Sequence, residues 1–336
     1  MLVRPDIDHS LILDCLQRDY GLHVTVLTYL PLGADQDKAV FRACGVDGSV
    51  YFVKLRKGAF SAASVDVPTF LHKAGAACVV PPLMTLNGRL YTKLDHYALI
   101  LYPYIAGKNA FERPLTDCQW QTFGKALRQL HTTTFPTEIT SGIRREEYSP
   151  RFRNEVRGFI RIIDLKEFTE PVAAGLVGFL KEHVDETLQL VTLAERLAKQ
   201  LQTRRREYVL CHGDMHGWNL LIKDDVDFFI VDWDTLVFAP KERDLMFIGC
   251  GFFSVVRSSG DEVALFYDGY GQVEIDTAAI AYYRSERIIE DISVFCSQLL
   301  LSNAGGEDRW QSLSFLKSNY QPGGTIETAF RSAAGL

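Results

Sequence analysis

Residues 211–219 read CHGDMHGWN, and this short polar stretch decides the fold class of the 336-residue chain. Asp214 and Asn219 stand five positions apart in it, across a loop that contains glycine. Apolar runs at residues 208–210 and 220–223 bracket the loop and predict two short strands. Carboxylate and amide oxygens held this close together are hard ligands of the kind that Mg²⁺ prefers. The stretch therefore predicts a metal-assisted site on a loop between two strands.

A second motif, IVDWD at residues 230–234, follows after a turn. Asp232 ends an apolar run at residues 228–232 and lies 18 positions after Asp214. Protein kinases place a catalytic aspartate, an asparagine five residues later and a metal-binding aspartate after the next strand in this same order. On this pattern Asp214 is the catalytic base, and Asn219 and Asp232 are the Mg²⁺ ligands. The two motifs together predict transfer of the γ-phosphate of a nucleotide triphosphate such as ATP to a hydroxyl group.

Such a reaction needs a lysine on a strand of the smaller lobe, where it holds the α- and β-phosphates of the nucleotide. Lys54 meets this requirement because it interrupts an otherwise apolar predicted strand. The loop with Gly33 and Asp35 joins the first two predicted strands, where a phosphate-covering loop belongs, although it lacks a G-x-G-x-x-G pattern. Tyr102 and Tyr104 lie in the segment expected to link the lobes and to face the adenine with backbone groups. These five residues are the predicted nucleotide contacts.

The acidic partner of Lys54 is left open by the sequence. Asp66 is the one carboxylate between Lys57 and Lys73, but Pro68 follows it closely, so Asp66 can equally well cap a helix. We therefore expect either an ion pair between Lys54 and Asp66 or a helix that starts at Asp66.

The period of the hydrophobic pattern divides the chain into a small β-rich part and a larger helical part. Residues 6–20 read as an amphipathic helix, and strands are expected at residues 24–30, 39–44, 50–55 and 97–104, with two more flanking the turn at Asn87 and Gly88. Further helices are expected at residues 68–73, 116–131, 151–163 and 170–202. The predicted fold is α+β and bilobal, like that of protein kinases. Its β-rich N-terminal, nucleotide-binding lobe covers residues 1–104, and its mostly helical C-terminal lobe, with the catalytic loop and the substrate site, covers residues 105–336.

Composition and charge narrow the class of partner. The net charge is −6, which argues against nucleic acid as a main partner, because phosphate backbones need clustered lysine and arginine. The seven cysteines form no C-x-x-C pair and are expected to be free thiols in a reducing compartment. The N-terminus lacks the apolar run of a signal peptide, and the most apolar stretch, residues 97–106, is too short to span a membrane. We therefore expect a cytoplasmic protein with a small-molecule substrate and no membrane partner.

Acidic side chains predict a cationic acceptor. Residues 232–291 contain 12 acidic and five basic side chains, a net charge of −7. Such a lining concentrates a substrate with protonated amines, although a solvated acidic surface has the same composition. The candidates for contact with the acceptor are His216, Asp234, Glu286 and Glu290.

Taken together, these residues resemble the aminoglycoside phosphotransferase family, which contains small-molecule relatives of protein kinases. The resemblance spans most of the chain and is carried by Lys54 and by residues 212–219, 230–234 and 240–245. It implies ATP as phosphate donor, Mg²⁺ as cofactor and the roles given above for the catalytic loop. Three further blocks resemble members of the family that phosphorylate an aminocyclitol antibiotic, namely residues 148–150, 239–249 and 282–292.

One feature separates the chain from protein kinases. There the metal-binding D-F-G motif and a later A-P-E motif enclose an activation loop that carries a phosphorylation site. Here Ala239 and Pro240 arrive only seven residues after Asp232, and the motif at residues 232–234 lacks the glycine. Because this spacing leaves no room for such a loop, we expect a site that is assembled without phosphorylation.

Three alternatives stay open. A metabolite kinase of the same fold would act on choline, homoserine or a thiosugar. His212, Asp214 and His216 have the spacing of ligands in a hydrolytic metal site, although Asn219 and Asp232 would then have no role. A nucleotide-binding module without activity would also keep the fold.

Overall fold

The computed structural model describes residues 7–32, 37–58, 60–250, 253, 257–303 and 305–336. The chain forms two compact units, each drawn from three separate parts of the sequence. The first unit comprises Met1–Arg144, His212–Leu236 and Phe252–Gln272, and the second comprises Arg145–Cys211, Val237–Gly251 and Val273–Leu336. The predicted boundary at residue 104 is a functional division between nucleotide and substrate binding, and it remains a prediction.

The strands of the described residues are β1 (Val24–Leu30), β2 (Lys38–Gly45), β3 (Val50–Lys57), β4 (Thr92–Leu94), β5 (Tyr97–Pro103), β6 (Lys108–Asn109), β7 (Val209–Cys211), β8 (Leu220–Ile222), β9 (Phe228–Ile230) and β10 (Val237–Ala239). The helices are α1 (His9–Tyr20), α2 (Ala63–Lys73), α3 (Asp117–Thr132), α4 (Thr137–Thr140), α5 (Arg151–Leu165), α6 (Pro171–Glu182), α7 (Val184–Gln202), α8 (Glu242–Leu245), α9 (Ser259–Tyr270), α10 (Thr277–Leu300), α11 (Asp308–Ser318) and α12 (Thr325–Ser332). Single 3₁₀ turns lie at Gly217–Asn219 and Trp233–Thr235.

The large sheet of the first unit is antiparallel, in the strand order β1-β2-β3-β5-β4. Its two faces follow from the alternation of side chains along each strand. One face carries Phe41 and Val53, which pack against α1 in an apolar core. Lys54 stands next to Val53 and therefore points to the other face, where it lies opposite Val40 of β2 and Ile100 of β5. The alternation thus separates Lys54 from the core under α1.

The ends of α1 and α3 are set by residues that satisfy free backbone groups. The Asp8 side chain accepts a hydrogen bond from the Ser10 N–H at 2.9 Å, and α1 stops at Gly21, where φ is 69°. At the start of α3, Thr116 and Gln119 each accept a hydrogen bond from the other's backbone N–H, which is a capping box. The helix expected at residues 116–131 is therefore confirmed with its start in place.

α3 and α9 of the first unit cross where each has a glycine. A methyl group added at Gly124 would lie 2.6 Å from the Tyr270 backbone nitrogen, and one added at Gly269 would overlap the backbone of α3. The two backbones approach this closely only because neither residue has a side chain. Phe123 of α3 contacts Phe228 of β9 with ring centroids 6.4 Å apart, so this crossing lies directly behind the hairpin formed by β8 and β9.

The second unit is built around α10, a helix of 24 residues that packs against α5, α7 and α12. Ile289 of α10, Leu190 of α7 and Val156 of α5 belong to the same buried apolar cluster. Arg153 is buried beside this cluster and donates hydrogen bonds to the carbonyl oxygens of Tyr148, Ser149 and Ala194. Within the described part of the chain, every helix is too short or too polar to cross a lipid bilayer.

One predicted strand is wrong. The described residues directly before Asn87 form no strand, and β4 begins only at Thr92. Pro81 and Pro82 carry no N–H with which to extend a ladder. The segment instead closes a local turn, in which the Thr85 N–H donates to the Arg89 carbonyl oxygen at 2.8 Å.

The single helix expected at residues 170–202 is two helices. α6 and α7 meet at His183, which leaves the helical conformation with φ −114° and ψ 17°. The His183 Nδ1 atom is 2.9 Å from the Phe179 carbonyl oxygen, which also accepts from the His183 N–H at 3.2 Å, so the ring adds a second contact at the end of α6. Apolar residues keep their helical spacing in the sequence on both sides of His183, so the pattern does not indicate two helices.

Candidate active site

The hairpin of β8 and β9 positions the two predicted metal ligands. Leu220 lies opposite Ile230, and the Val231 N–H donates to the Asn219 carbonyl oxygen at 3.0 Å. Asp232 follows Val231 directly. The register therefore brings Asn219 and Asp232 to the same end of the hairpin, although they are remote from each other in the chain.

Asp214, the predicted catalytic base, has a histidine beside its carboxylate. The His216 Nε2 atom is 3.3 Å from Asp214 Oδ2, and His216 Nδ1 accepts a hydrogen bond from the Trp218 N–H at 3.2 Å. Because Nδ1 is an acceptor, Nε2 carries the ring proton and directs it at the carboxylate. The histidine N–H thus gives the Asp214 carboxylate, the predicted proton acceptor, a hydrogen-bond donor on one side.

His212 is fully buried and joins the catalytic loop to the segment after β9. Its Nε2 atom donates to the Val231 carbonyl oxygen at 3.1 Å, and its Nδ1 atom accepts from the Asp214 N–H at 3.4 Å. The Thr235 hydroxyl donates to the His212 carbonyl oxygen at 2.9 Å, and the Trp233 ring packs against the imidazole. These contacts give His212 a positioning role in the loop.

Asn219 is buried, and its side-chain amide spans the loop. The Nδ2 atom donates to the Asp214 carbonyl oxygen at 2.7 Å and lies 3.5 Å from Asp214 Oδ2. The amide nitrogen therefore links the two ends of the loop between Asp214 and Asn219. The amide oxygen is the atom of this side chain that can bind a metal.

Two lysines of the large sheet and two aspartates after β9 form what we call the ionic cluster: Lys38, Lys54, Asp232 and Asp234. Lys54 Nζ lies 3.1 Å from Asp232 Oδ1 and 2.9 Å from Asp234 Oδ2. Lys38 Nζ lies 3.0 Å from each carboxylate oxygen of Asp232 and 2.9 Å from Asp234 Oδ2. Two positive and two negative charges meet here, so the cluster is neutral as a whole.

Lys38 is a member of the cluster that sequence reasoning missed. It is the first residue of β2 and stands two positions before Val40, which pairs with Lys54. Because side chains two positions apart share a face, Lys38 points to the same side of the sheet as Lys54. The strand register carried this signal, but a lysine at a strand start is also an ordinary edge feature.

The backbone and the charge of Asp232 are both unusual. Its φ of 63° and ψ of 64° are left-handed values that residues other than glycine rarely adopt. Burial on its own would raise the pKa of Asp232, but the charges of Lys54 and Lys38 more than offset it and hold the pKa well below its ordinary value. Conversely, burial would lower the pKa of Lys54, and the two aspartates raise it above its ordinary value. Asp232 is therefore an anion throughout the neutral pH range.

Of the five predicted nucleotide contacts, Lys54, Tyr102 and Tyr104 belong to the first unit, and Gly33 and Asp35 lie outside the described residues. All five assignments remain predictions. The first three share a unit with the catalytic loop and with both predicted metal ligands.

Tyr102 and Tyr104 lie at the end of β5 and just beyond it. Tyr102 pairs with Phe52 of β3, and their ring centroids are 6.5 Å apart. Burial raises the pKa of Tyr102, and the negative charges of the two clustered aspartates raise it further. The guanidinium group of Arg42 lies 5.4 Å from the centroid of the Tyr104 ring. Both tyrosines are half-buried, and Tyr102 is close enough to the ionic cluster for its pKa to respond to the charges of the cluster.

Asp66 fills neither of the two roles expected of it. α2 begins at Ala63, so Asp66 lies inside the first turn instead of capping the helix. Among the described residues, the ion pairs of Lys54 are with Asp232 and Asp234. Burial raises the pKa of Asp66 above its ordinary value, which is the opposite of the effect that a nearby lysine would have.

The predicted acceptor contacts lie in both units. His216 and Asp234 belong to the first unit, with His216 beside Asp214 and Asp234 in the ionic cluster. Glu286 and Glu290 lie one turn apart on α10 in the second unit. Contact of any of the four with an acceptor remains a prediction.

Glu286 is buried on α10, and its Oε2 atom is 3.6 Å from Arg153 Nε. Burial raises the pKa of Glu286 to about 7, although the charge of Arg153 opposes the rise. The side chain is therefore partly protonated at neutral pH. A cation bound against it would favour the charged form.

The residues present fit a magnesium ion. The Asn219 side-chain oxygen and the Asp232 carboxylate are hard donors at the same end of the hairpin, and hard donors are what Mg²⁺ requires. The Asp232 carboxylate already contacts the ammonium groups of Lys38 and Lys54, at 3.0 and 3.1 Å, so it is a group that binds cations.

The hydrolytic metal site considered for His212, Asp214 and His216 is not favoured by this geometry. Among the described residues, these three do not bring their ligand atoms within 4.8 Å of one another. Both ring nitrogens of His212 are also engaged with the backbone, at Val231 and at Asp214.

The chain matches the phosphotransferase enzyme family over residues 28–283. Spectinomycin phosphotransferase, APH(9)-Ia, in complex with ADP and spectinomycin superposes on this structure with a TM-score of 0.91 and 34% identity, covering 98% of this chain and 99% of that chain. The AMP-bound complex of the same enzyme gives a TM-score of 0.86 and 33% identity, over 98% of this chain and 100% of that chain. Protein StrN of Streptomyces griseus is 27% identical over 253 residues, which are 72% of this chain and 75% of that protein. The predicted α+β fold of the kinase type is thereby confirmed.

Proposed function

The chain belongs to the phosphotransferase enzyme family, whose members act on small molecules, and on that premise we propose that it transfers the γ-phosphate of ATP to a hydroxyl group of spectinomycin. The observation that carries the proposal is the grouping of Asp214, Asn219, Asp232 and Lys54 within one unit. It supports a site in which a base, two metal ligands and a phosphate-binding lysine act on one reaction.

In the proposed reaction, Asp214 accepts a hydrogen bond from the acceptor hydroxyl and takes its proton as the new O–P bond forms. The bond between the γ-phosphorus and the β,γ-bridging oxygen breaks in the same step, and ADP leaves with that oxygen. The His216 N–H contacts the carboxylate and fixes its direction. Because the transition state of phosphoryl transfer is loose, the proton leaves late, and much of the rate comes from holding the hydroxyl in line with the γ-phosphate.

The nucleotide phosphates would be held from the side of the large sheet. Lys54 binds the α- and β-phosphates, and Asn219 and Asp232 hold Mg²⁺. When bound, the metal neutralises charge on the phosphates and so stabilises the charge that develops during transfer. His212 contributes by keeping the loop of Asp214 in register with the segment that carries Asp232.

Two observations support spectinomycin as the acceptor. One is the relative that is named for this substrate and is 34% identical over 98% of the chain. The other is the net charge of −7 over residues 232–291, which suits an acceptor with protonated amines. We propose His216, Asp234, Glu286 and Glu290 as the residues that contact it.

The proposal is tested by measuring ADP release from Mg-ATP in the presence of spectinomycin, a panel of aminoglycosides, and the metabolites choline and homoserine. We expect turnover with spectinomycin and little with the others. Turnover confined to a metabolite would keep the reaction and overturn the substrate. Absence of turnover with every acceptor, from protein that binds the nucleotide, would favour an inactive binding module.

The role of Asp214 is tested by Asp214→Asn. Loss of a general base should lower kcat by about 10²–10⁴-fold, while the Kd for Mg-ADP stays within about threefold of the wild type. Asp225→Asn is a matched control, because that carboxylate follows the catalytic loop closely in sequence and is 85% exposed. A normal kcat in Asp214→Asn would remove this residue from the mechanism.

A further inference from the structure

We infer that Lys38 is a second phosphate-binding lysine, which leaves the ionic cluster when a nucleotide enters and binds the β- and γ-phosphates beside Lys54. The inference rests on the proposed function, because it assumes that a nucleoside triphosphate is the phosphate donor. It assigns a role to a residue that the catalytic-loop motifs do not include.

Lys38 lies beside the Asp232 carboxylate, where the proposed metal and the nucleotide phosphates would bind. Its Nζ atom is 3.0 Å from both carboxylate oxygens of Asp232, the side chain proposed to bind Mg²⁺. A metal on Asp232 and an ammonium group bridging both of its oxygens compete for the same electron pairs. Entry of the metal therefore requires Lys38 to move, and its flexible four-carbon stem allows this without a change in β2.

The new partner of Lys38 follows from charge. The ionic cluster is neutral with both lysines present, and a metal-bound nucleoside triphosphate brings further negative charge to it. A metal on Asp232 takes one of the two carboxylates that hold Lys38, and the other, Asp234, is shared with Lys54. A phosphate oxygen beside the ammonium group is then a favourable charge-assisted partner. In the proposed complex the triphosphate supplies that phosphate oxygen.

Position in the fold supports the same partner. Lys38 opens β2 directly after the connection from β1, and β2 pairs with β3, which carries Lys54. Both ammonium groups reach the same Asp234 Oδ2 atom, at 2.9 Å each. Two lysines that converge on one point in the free enzyme can also converge on one polyphosphate. Lys54 alone would hold the inner phosphates, and Lys38 would add affinity for the outer ones.

The test is the affinity of Lys38→Met for three nucleotides that differ only in the number of phosphates. Binding of AMP, ADP and a non-hydrolysable ATP analogue is measured by calorimetry in Mg²⁺, without acceptor. We expect Kd to rise by about tenfold for the ATP analogue, by less for ADP and by under twofold for AMP, because only the outer phosphates lose a charged partner. Lys38→Arg should restore most of the affinity for the ATP analogue, since it restores the charge.

Lys93→Met is the matched control, because it removes the same charge from an exposed position on β4 of the same sheet. It should leave all three affinities unchanged. Equal weakening of AMP and the ATP analogue by Lys38→Met would overturn the inference and make Lys38 a structural residue. Tighter binding of the ATP analogue would also overturn it and would identify Lys38 as a barrier to the metal. If the wild type binds none of the nucleotides, the proposed function fails together with the inference.

Discussion

Glu286 connects the charge of a single buried side chain to the stability of the second unit. Burial raises its pKa, Arg153 and Arg243 oppose the rise, and the nearby charges of Glu146 and Glu290 support it, with a net result of about 7. The ordinary pKa of a glutamate is 4.5. The proton therefore binds more tightly to the folded chain than to the unfolded one, and protonation stabilises the fold.

The stabilisation of the fold by the Glu286 proton decreases as pH rises. Below pH 4.5 the side chain is protonated in both states, and the stabilisation from the proton is fully present. As pH rises through about 7 the folded state loses this proton, and the stabilisation is lost. The total change is about 3 kcal/mol, because the two pKa values, 4.5 and about 7, differ by about 2.5 and each unit corresponds to about 1.36 kcal/mol.

Glu286→Gln should remove this dependence, because glutamine resembles the protonated acid at every pH. Urea unfolding at pH 5 and pH 8 would measure it: we expect the variant to match the wild type at pH 5 and to exceed its stability at pH 8. Glu274→Gln, at an exposed position of the same unit, is the control and should show no such difference. Equal effects of pH on Glu286→Gln and the wild type would contradict the prediction.

The residues of the catalytic loop could be predicted because their chemistry is local. Asp214 and Asn219 lie in one stretch of nine residues, and Asp232 follows at the next strand, so spacing alone indicates their roles. The partners of Lys54 could not be predicted in this way. They depend on how β9 ends beside the large sheet, and no short pattern in the sequence records that arrangement.

At the scale of the element, the crossing of α3 and α9 depends on two missing side chains. Gly269→Ala should lower the free energy of unfolding by about 3 kcal/mol, since the added methyl overlaps the backbone of α3 and forces the helices apart. The shift in the urea midpoint measures this effect. The same substitution should lower activity, because α3 backs the β8–β9 hairpin.

Gly260→Ala provides the control within the same helix. A methyl group there meets the Ser258 hydroxyl at 3.9 Å, which is ordinary van der Waals contact. Alanine therefore lowers the backbone entropy of the unfolded chain without a clash in the folded one. We expect a change of less than about 1 kcal/mol, in the stabilising direction. If both alanine variants were equally stable, the close approach of α3 and α9 would not depend on glycine.

Elements with strong local signals were predicted well, and the misses have physical causes. The alternating strands β1, β2, β3 and β5 and the capped helix α3 were expected within a few residues of their observed bounds. The break at His183 and the close contact at Gly124 arise from packing between elements, which an amphipathic period does not encode.

At the scale of the whole molecule, the division into two units predicts which amides a bound nucleotide protects from hydrogen exchange. The ionic cluster and the catalytic loop lie entirely in the first unit. Amide hydrogen exchange with and without Mg-ADP should therefore show protection in β2, β3, the end of β5 and the β8–β9 hairpin. At 100 times Kd the exchange of amides that open only in the free enzyme should slow by about 100-fold.

The helices α5, α6 and α7 of the second unit serve as the internal reference for this experiment. Their exchange should change much less than that of the β8–β9 hairpin. Protection confined to these helices would place the nucleotide elsewhere and would contradict the proposed site.

The short path after Asp232 has a consequence for the cell. The turn Trp233–Thr235 and the strand Val237–Ala239 occupy almost all of the chain up to Pro240. Because these described residues form no long loop that another enzyme could modify, we expect each newly made copy to be competent in the proposed reaction as soon as it has folded. The amount of acceptor phosphorylated in a cell would then depend on transcription, gene copy number and acceptor uptake. We therefore expect this amount to scale with gene dosage and to rise without a lag after induction.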